Sequence, residues 1–392
     1  MSGRRLFEFL LALLLAVSSA TTIASSDDGI DALGQRATKG EPAAIVKLLD
    51  LARRGDAEAQ VQIGWIYYQG LVVQRNYPLA FEWFSDAAAR GHAQAMNLLG
   101  HLYQEGLGVE QNYVQARRWY QQAAEMGLPA AANNLGWLYL KGLGIEANAI
   151  LAREWFERAA GKGQAVALYN LGYLYAAGLG VEREPERALA WYRKSADLGY
   201  VPAVRAIGWH YQEGQGIVQD YAQAKHWYEQ AAAQGDLEAE AMVGQLFQYG
   251  RGGPRNLDLA RQHYEKAAKG GDPVGQLLLG WLYQQGLSVE RNYTAALDWY
   301  RKSADQGNAS AQNNIGYLYD EGLGVARDYK EALTWYRKAA AQEHAAALFN
   351  VGFMYEEGRG TARNVDEAFR YYRMAAERGH AQAKRILERA AR

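Results

Sequence analysis

The stretch Asn133-Asn134-Leu135-Gly136-Trp137-Leu138-Tyr139-Leu140-Lys141-Gly142-Leu143-Gly144-Ile145 recurs in related form every 36 residues along a chain of 392. Gly136 is one of nine glycines, Gly64, Gly100, Gly136, Gly172, Gly208, Gly244, Gly280, Gly316 and Gly352, separated by that constant interval without insertion or deletion. A fixed period of this size marks an array of supersecondary units. No unit buries its apolar face alone, so neighbours must stack. The array overrides the two or three domains that length alone would suggest.

Taking the repeat glycine as position zero, position -5 is small (Ala59 to Ala347, with Gly275), position -1 is Ile, Leu or Val, and position +3 is Tyr or Phe. At about 100° per residue these fall on one stripe of an α-helix, helix A. A second glycine at +6, Gly70 through Gly358, ends it where a positive φ turns the chain. A Gly-Leu-Gly-Val type of loop follows, in which Val72 and Ser288 replace the second glycine, so those two turns are expected to differ. Helix B then carries Ala at +16, usually Trp at +19, Phe or Tyr at +20 and Ala at +24, large and small residues that interlock closely packed helices. Its closing glycine at +27 is replaced once, by Glu343.

These residues resemble the Sel-one-like repeat, a 36-residue relative of the tetratricopeptide repeat, over residues 57–380 as nine units. The resemblance implies an all-α, right-handed α/α solenoid. It also implies an adaptor or scaffold for macromolecular complexes, of a kind that in bacteria is often periplasmic or exported. Partial matches on either side are expected to form polar caps, an N-terminal one over residues 25–56 and a C-terminal helix over 381–392.

Residues 1–24 have the layout of a secretory signal: Arg4 and Arg5, an apolar run from Leu6 to Val17, then small residues with cleavage expected after Ala20 or Ala24. The run is shorter than the roughly 20 residues of a membrane span. We therefore expect a periplasmic protein with no stable membrane insertion after cleavage, with release from the cell as the alternative. The chain has no cysteine, hence no disulfides. A net charge of -1 gives no overall field for nucleic acid.

Opposite the core stripe of helix A lie positions -6, -3, +1, +4 and +5, which by the same resemblance line the concave groove. Position +1 reads Trp65, His101, Trp137, Tyr173, Trp209, Gln245, Trp281, Tyr317 and Phe353. Position -3 adds Asn97, Asn133, Arg205 and Asn313. Aromatic faces offer contact area at low entropic cost, and amides bond peptide backbone or sugar hydroxyls. These residues are the expected partner-binding set, against the alternative that the rings only pack neighbouring repeats together. Asp320, Glu321, Glu356 and Glu357 beside Tyr317 and Phe353 form an expected acidic docking patch for a basic segment, against the alternative of solvated helix ends.

The seven histidines are dispersed, and no metal-binding or nucleophile motif occurs. The Gly-x-Gly turns end helices instead of following strands, which argues against nucleotide binding. We expect no enzyme activity, metal or cofactor. The expected function is a scaffold for protein or peptide partners that supports assembly of an envelope complex. The alternatives are a polysaccharide-associated assembly or export factor, and a secreted factor that contacts a host.

Overall fold

A computed structural model describes residues 29–390. The segment expected to be a signal, residues 1–24, lies outside the described residues. Among those described there are twenty-one α-helices and no strand. Two helices, Ile30–Thr38 and Pro42–Arg53, precede the nine hairpins, and Ala381–Ala390 follows them. In repeat 1 helix A is Ala57–Gln69 and helix B Tyr77–Ala89; in repeat 9 they are Ala345–Glu357 and Val365–Glu377.

The chain divides into two compact units. The first, ending at Tyr200, holds the leading helices and repeats 1–4; the second, from Val201, holds repeats 5–9 and the last helix. In each, helix A packs on its own helix B, and helix B packs on helix A of the next repeat. The core of both units is the same set of positions: alanine at -5 (Gly275 in repeat 7) and +16, aliphatics at -1 and +2 (His210 in repeat 5), and the ring at +20.

Local sequence fixes the helix ends. In every repeat but the fourth, where Glu184 stands, helix B starts behind an Asn or Asp whose side chain accepts a backbone N–H, as Asn148 does from Leu151 at 3.0 Å and Asn292 from Ala295 at 2.9 Å. Helix A ends on a glycine in the left-handed region, φ 68° at Gly142, whose N–H bonds the Leu138 carbonyl. The second loop glycine also permits close approach to the preceding repeat. A Cβ on Gly144 would stand 2.7 Å from the backbone carbon of Tyr113. Of the two loops that lack it, one keeps the turn and the other departs from it. Ser288 keeps the left-handed conformation at φ 61°, its hydroxyl bonded to Asp258 and Arg261, whereas Val72 has no positive φ.

The repeat glycines themselves are helical. Each lies under the ring at +20 of its own repeat: a Cβ on Gly100, Gly172, Gly208, Gly244, Gly280, Gly316 or Gly352 would come within 2.6–2.8 Å of the facing tyrosine ring. The lattice is thus a contact requirement, backbone of helix A against ring of helix B.

Candidate functional site

On helix A the +1 row occupies a partly exposed face. None of its residues is buried, and Tyr173, Trp209 and Tyr317 are 36%, 40% and 41% exposed. The others are half-buried, each held differently. Trp65 sets an edge against Tyr68 at 5.1 Å and Phe84 at 6.3 Å. His101 shares a 3.0 Å hydrogen bond with the Tyr68 hydroxyl. Lys141, one turn on, places its ammonium 4.8 Å from the Trp137 ring, and the Arg359 guanidinium lies 5.0 Å from Phe353. Trp281 packs against Ala260, Tyr264, Ala268, Leu279 and Leu282, a core cluster shared by helix B of repeat 6 and helix A of repeat 7, while Trp209 touches His210 edge-on at 5.2 Å.

The asparagines at -3 do something the sequence did not announce. Asn97, Asn133 and Asn313 accept hydrogen bonds from the Nδ2 of Asn134, Asn170 and Asn350, at 3.1, 2.8 and 2.9 Å. Each bond joins helix A of one repeat to helix A of the next. Asn97 and Asn133 are buried by this arrangement. Arg205, at the same position in repeat 5, pairs with Asp236 at 3.0 Å and with Glu238. The -3 set is therefore an inter-repeat clamp beneath the aromatic row.

The four expected acidic residues separate. Asp320 is buried against Arg359 at 3.4 Å, and burial raises its carboxyl above the usual range. Glu356 accepts the Tyr372 hydroxyl at 2.5 Å. Only Glu321 and Glu357, at the ends of their helices, are exposed. The signal that could have found this is the coupling of +4 to +20. Tyr120, Tyr228, Tyr264 and Tyr300 donate their hydroxyls to Gln104, Gln212, Gln248 and Gln284 at 2.6–3.3 Å, and where +20 is Phe84 or Phe156, +4 is Tyr68 or Leu140.

Sequence reading also missed Glu240, whose side chain is 4% exposed and meets His263 at 2.8 Å and Lys266 at 2.7 Å. A His at the Trp position of helix B was the visible hint. His263 also stacks on Phe247, 5.5 Å between ring centres.

Stacked helical hairpins that carry, on one helix of each, a row of half-exposed rings braced by amide clamps define a helical-repeat scaffold. The Sel1 repeat family matches nine consecutive segments, residues 57–92, 93–128, 129–164, 165–200, 201–236, 237–272, 273–308, 309–344 and 345–380, and the chain belongs to that family. Among the solved structures similar to it are two Sel1-type repeat proteins. One is a protective antigen of uropathogenic Escherichia coli strains displaying an SLR fold, 34% identical, TM-score 0.56, covering 91% of this chain and 78% of that one. The other is a Sel1 repeat protein from Oxalobacter formigenes, 33% identical, TM-score 0.56, covering 62% of this chain and 96% of that one. No curated protein matches the chain. Sel1 repeat proteins are generally scaffolds for protein partners, and membership of the family points to a protein–protein interaction scaffold here. Among the described residues no helix is long and apolar enough to cross a membrane.

Proposed function

We propose that this protein is an exported scaffold, held in the periplasm, that binds extended segments of protein partners along the aromatic row of helix A and so supports assembly of an envelope complex. The observation that carries this reading is the exposure of Tyr173, Trp209 and Tyr317 at a position where the hairpin itself needs no ring. Packing demand is met at +20, by side chains with almost no exposure. Rings set one helix pair apart, about 10 Å, match about three residues of extended peptide. Within each unit the clamps tie neighbouring A helices together, which lowers the entropic cost of binding. The signal-like layout of residues 1–24 supports export.

The test pairs wild type with a Trp209→Ala/Tyr317→Ala variant on an array of peptides cut from periplasmic and outer-membrane proteins of the source bacterium. Binding that falls at least tenfold in the folded variant supports the reading. Unchanged binding by the variant overturns it, as would tryptophan quenching by neutral or acidic glycans with no peptide bound. Export has its own readout, the mass of the protein recovered from the periplasm, expected to begin at Thr21 or Ser25.

A further inference from the structure

Three helices begin behind a histidine at the same repeat position: helix A of repeat 2 at His92, helix A of repeat 9 at His344, and the final helix at His380. In each the imidazole Nδ1 accepts the backbone N–H three residues on, from Ala95, Ala347 and Ala383, all at 3.3 Å. A nitrogen that caps a helix in this way carries no proton. The proton then sits on Nε2, which faces Glu58 at 2.9 Å in His92 and the Ser310 hydroxyl at 3.2 Å in His344. Glu58 and Ser310 hold equivalent places, and the counterpart for His380 is Ala346. That third ring stacks on Phe349 with centres 4.4 Å apart.

We propose that the C-terminal end of the array, helix A of repeat 9 with the helix after it, is an acid-sensitive element whose two histidine caps are lost together as imidazole takes up a proton. Protonation at Nδ1 sets a second donor against the backbone N–H it capped. It also places a positive charge at the positive end of the helix dipole. Nε2 of His92 faces the Glu58 carboxylate, whereas among the described residues neither His344 nor His380 pairs with a carboxylate. The charged groups on the surrounding elements are Arg337 and Lys338 ending helix B of repeat 8, Glu343 in the turn, Glu377 and Arg378 ending helix B of repeat 9, and Lys384 and Arg385 in the final helix. Glu343 and Arg378 pair with each other, so the balance is cationic and opposes a further proton. Burial pushes both imidazoles down, in keeping with neutral rings. Asp320, Glu321, Glu356 and Glu357 sit at the far ends of their helices.

The inference does not depend on what the aromatic row binds. Its internal control is Asn308, which caps helix A of repeat 8 through a side chain that does not titrate, accepting from Ala311 at 3.1 Å. Hydrogen exchange of the full chain at pH 7.5 and 5.0, corrected for intrinsic rates, decides the matter. Wild type is expected to lose protection at pH 5.0 over residues 345–357 and 381–390 by about tenfold per lost cap, while residues 309–321 hold theirs. A His344→Asn/His380→Asn variant is expected to show no such difference. Equal wild-type protection at both pH values, or the same acid loss in the variant, overturns the proposal. Should the variant be less protected already at pH 7.5, the wild-type contrast between repeats 8 and 9 still decides it.

Discussion

The ring of Tyr300 lies against the backbone of Gly280 so closely that a Cβ there would come 2.8 Å from ring Cδ1 and 3.1 Å from the Ala296 carbonyl oxygen. Two effects oppose each other in Gly280→Ala. Alanine gains about 1 kcal/mol of helix propensity, but the added methyl forces apart two helices joined by a buried ring and a backbone carbonyl, at about 1–3 kcal/mol. Neither neighbour is the loose end of a flexible side chain, so the clash wins. The expected net loss is up to about 2 kcal/mol, seen as a lower denaturation midpoint. A midpoint at or above wild type would mean that the glycine serves flexibility and not contact.

The Tyr264 hydroxyl donates to Gln248 Oε1 at 2.6 Å, with both residues buried. Tyr264→Phe leaves that amide oxygen without its donor and is expected to cost about 1–2 kcal/mol. Adding Gln248→Leu copies the Phe156 and Leu140 pair of repeat 3 and should restore most of the loss. Additive losses in the double-mutant cycle would rule out the coupling.

The hairpins, their caps and the two kinds of aromatic were legible because each follows from a short repeat and one helical angle. Trp137 and Trp209 could be separated from Trp155 and Trp227 by that angle alone. The role of Asn97 and Asn133 was not legible, because the angle gives a side of one's own helix and not the reach of the neighbour. Asn134 and Asn170 arrive on that side from the next repeat, 37 residues on. Asp320 escaped for the same reason: Arg359, its partner, comes from a loop of the following repeat.

Glu343 holds a backbone at φ 59° where eight other repeats have glycine. A side chain there costs about 1 kcal/mol. Its ion pair with Arg378 is exposed on both sides, and such pairs contribute about 0–1 kcal/mol. Glu343→Gly is therefore expected to stabilise the protein by up to about 1 kcal/mol, with the gain larger in high salt, where the lost pair matters less. A fall in thermal midpoint at high salt would contradict this balance.

Seven tyrosines at +20, Tyr120, Tyr192, Tyr228, Tyr264, Tyr300, Tyr336 and Tyr372, have their phenols raised above the ordinary range by burial. The folded state holds these protons more tightly than the unfolded chain, so unfolding releases them. The stabilisation is complete below the unfolded phenol value of about 10 and disappears as pH rises above it. Denaturation midpoints should stay level from about pH 8 to 9.5 and then drop steeply. Tyr264→Phe should make the drop shallower. A level profile through about pH 11 would exclude the mechanism.

Trp83 and Trp209 separate the structural use of the side chain from the proposed binding use. Trp83 is 1% exposed within the packing of repeat 1, whereas Trp209 is 40% exposed on helix A of repeat 5. Truncating a buried ring of this size costs about 3–5 kcal/mol, while a surface ring without a buried partner costs about 0.5 kcal/mol or less. Trp83→Ala should therefore lower the denaturation midpoint sharply at unchanged peptide binding per folded molecule, and Trp209→Ala should do the reverse. The contrast is informative because both variants delete the same atoms. If Trp209→Ala destabilised the fold as much as Trp83→Ala, the +1 row would be packing between repeats, and the binding surface would have to lie elsewhere on the hairpins.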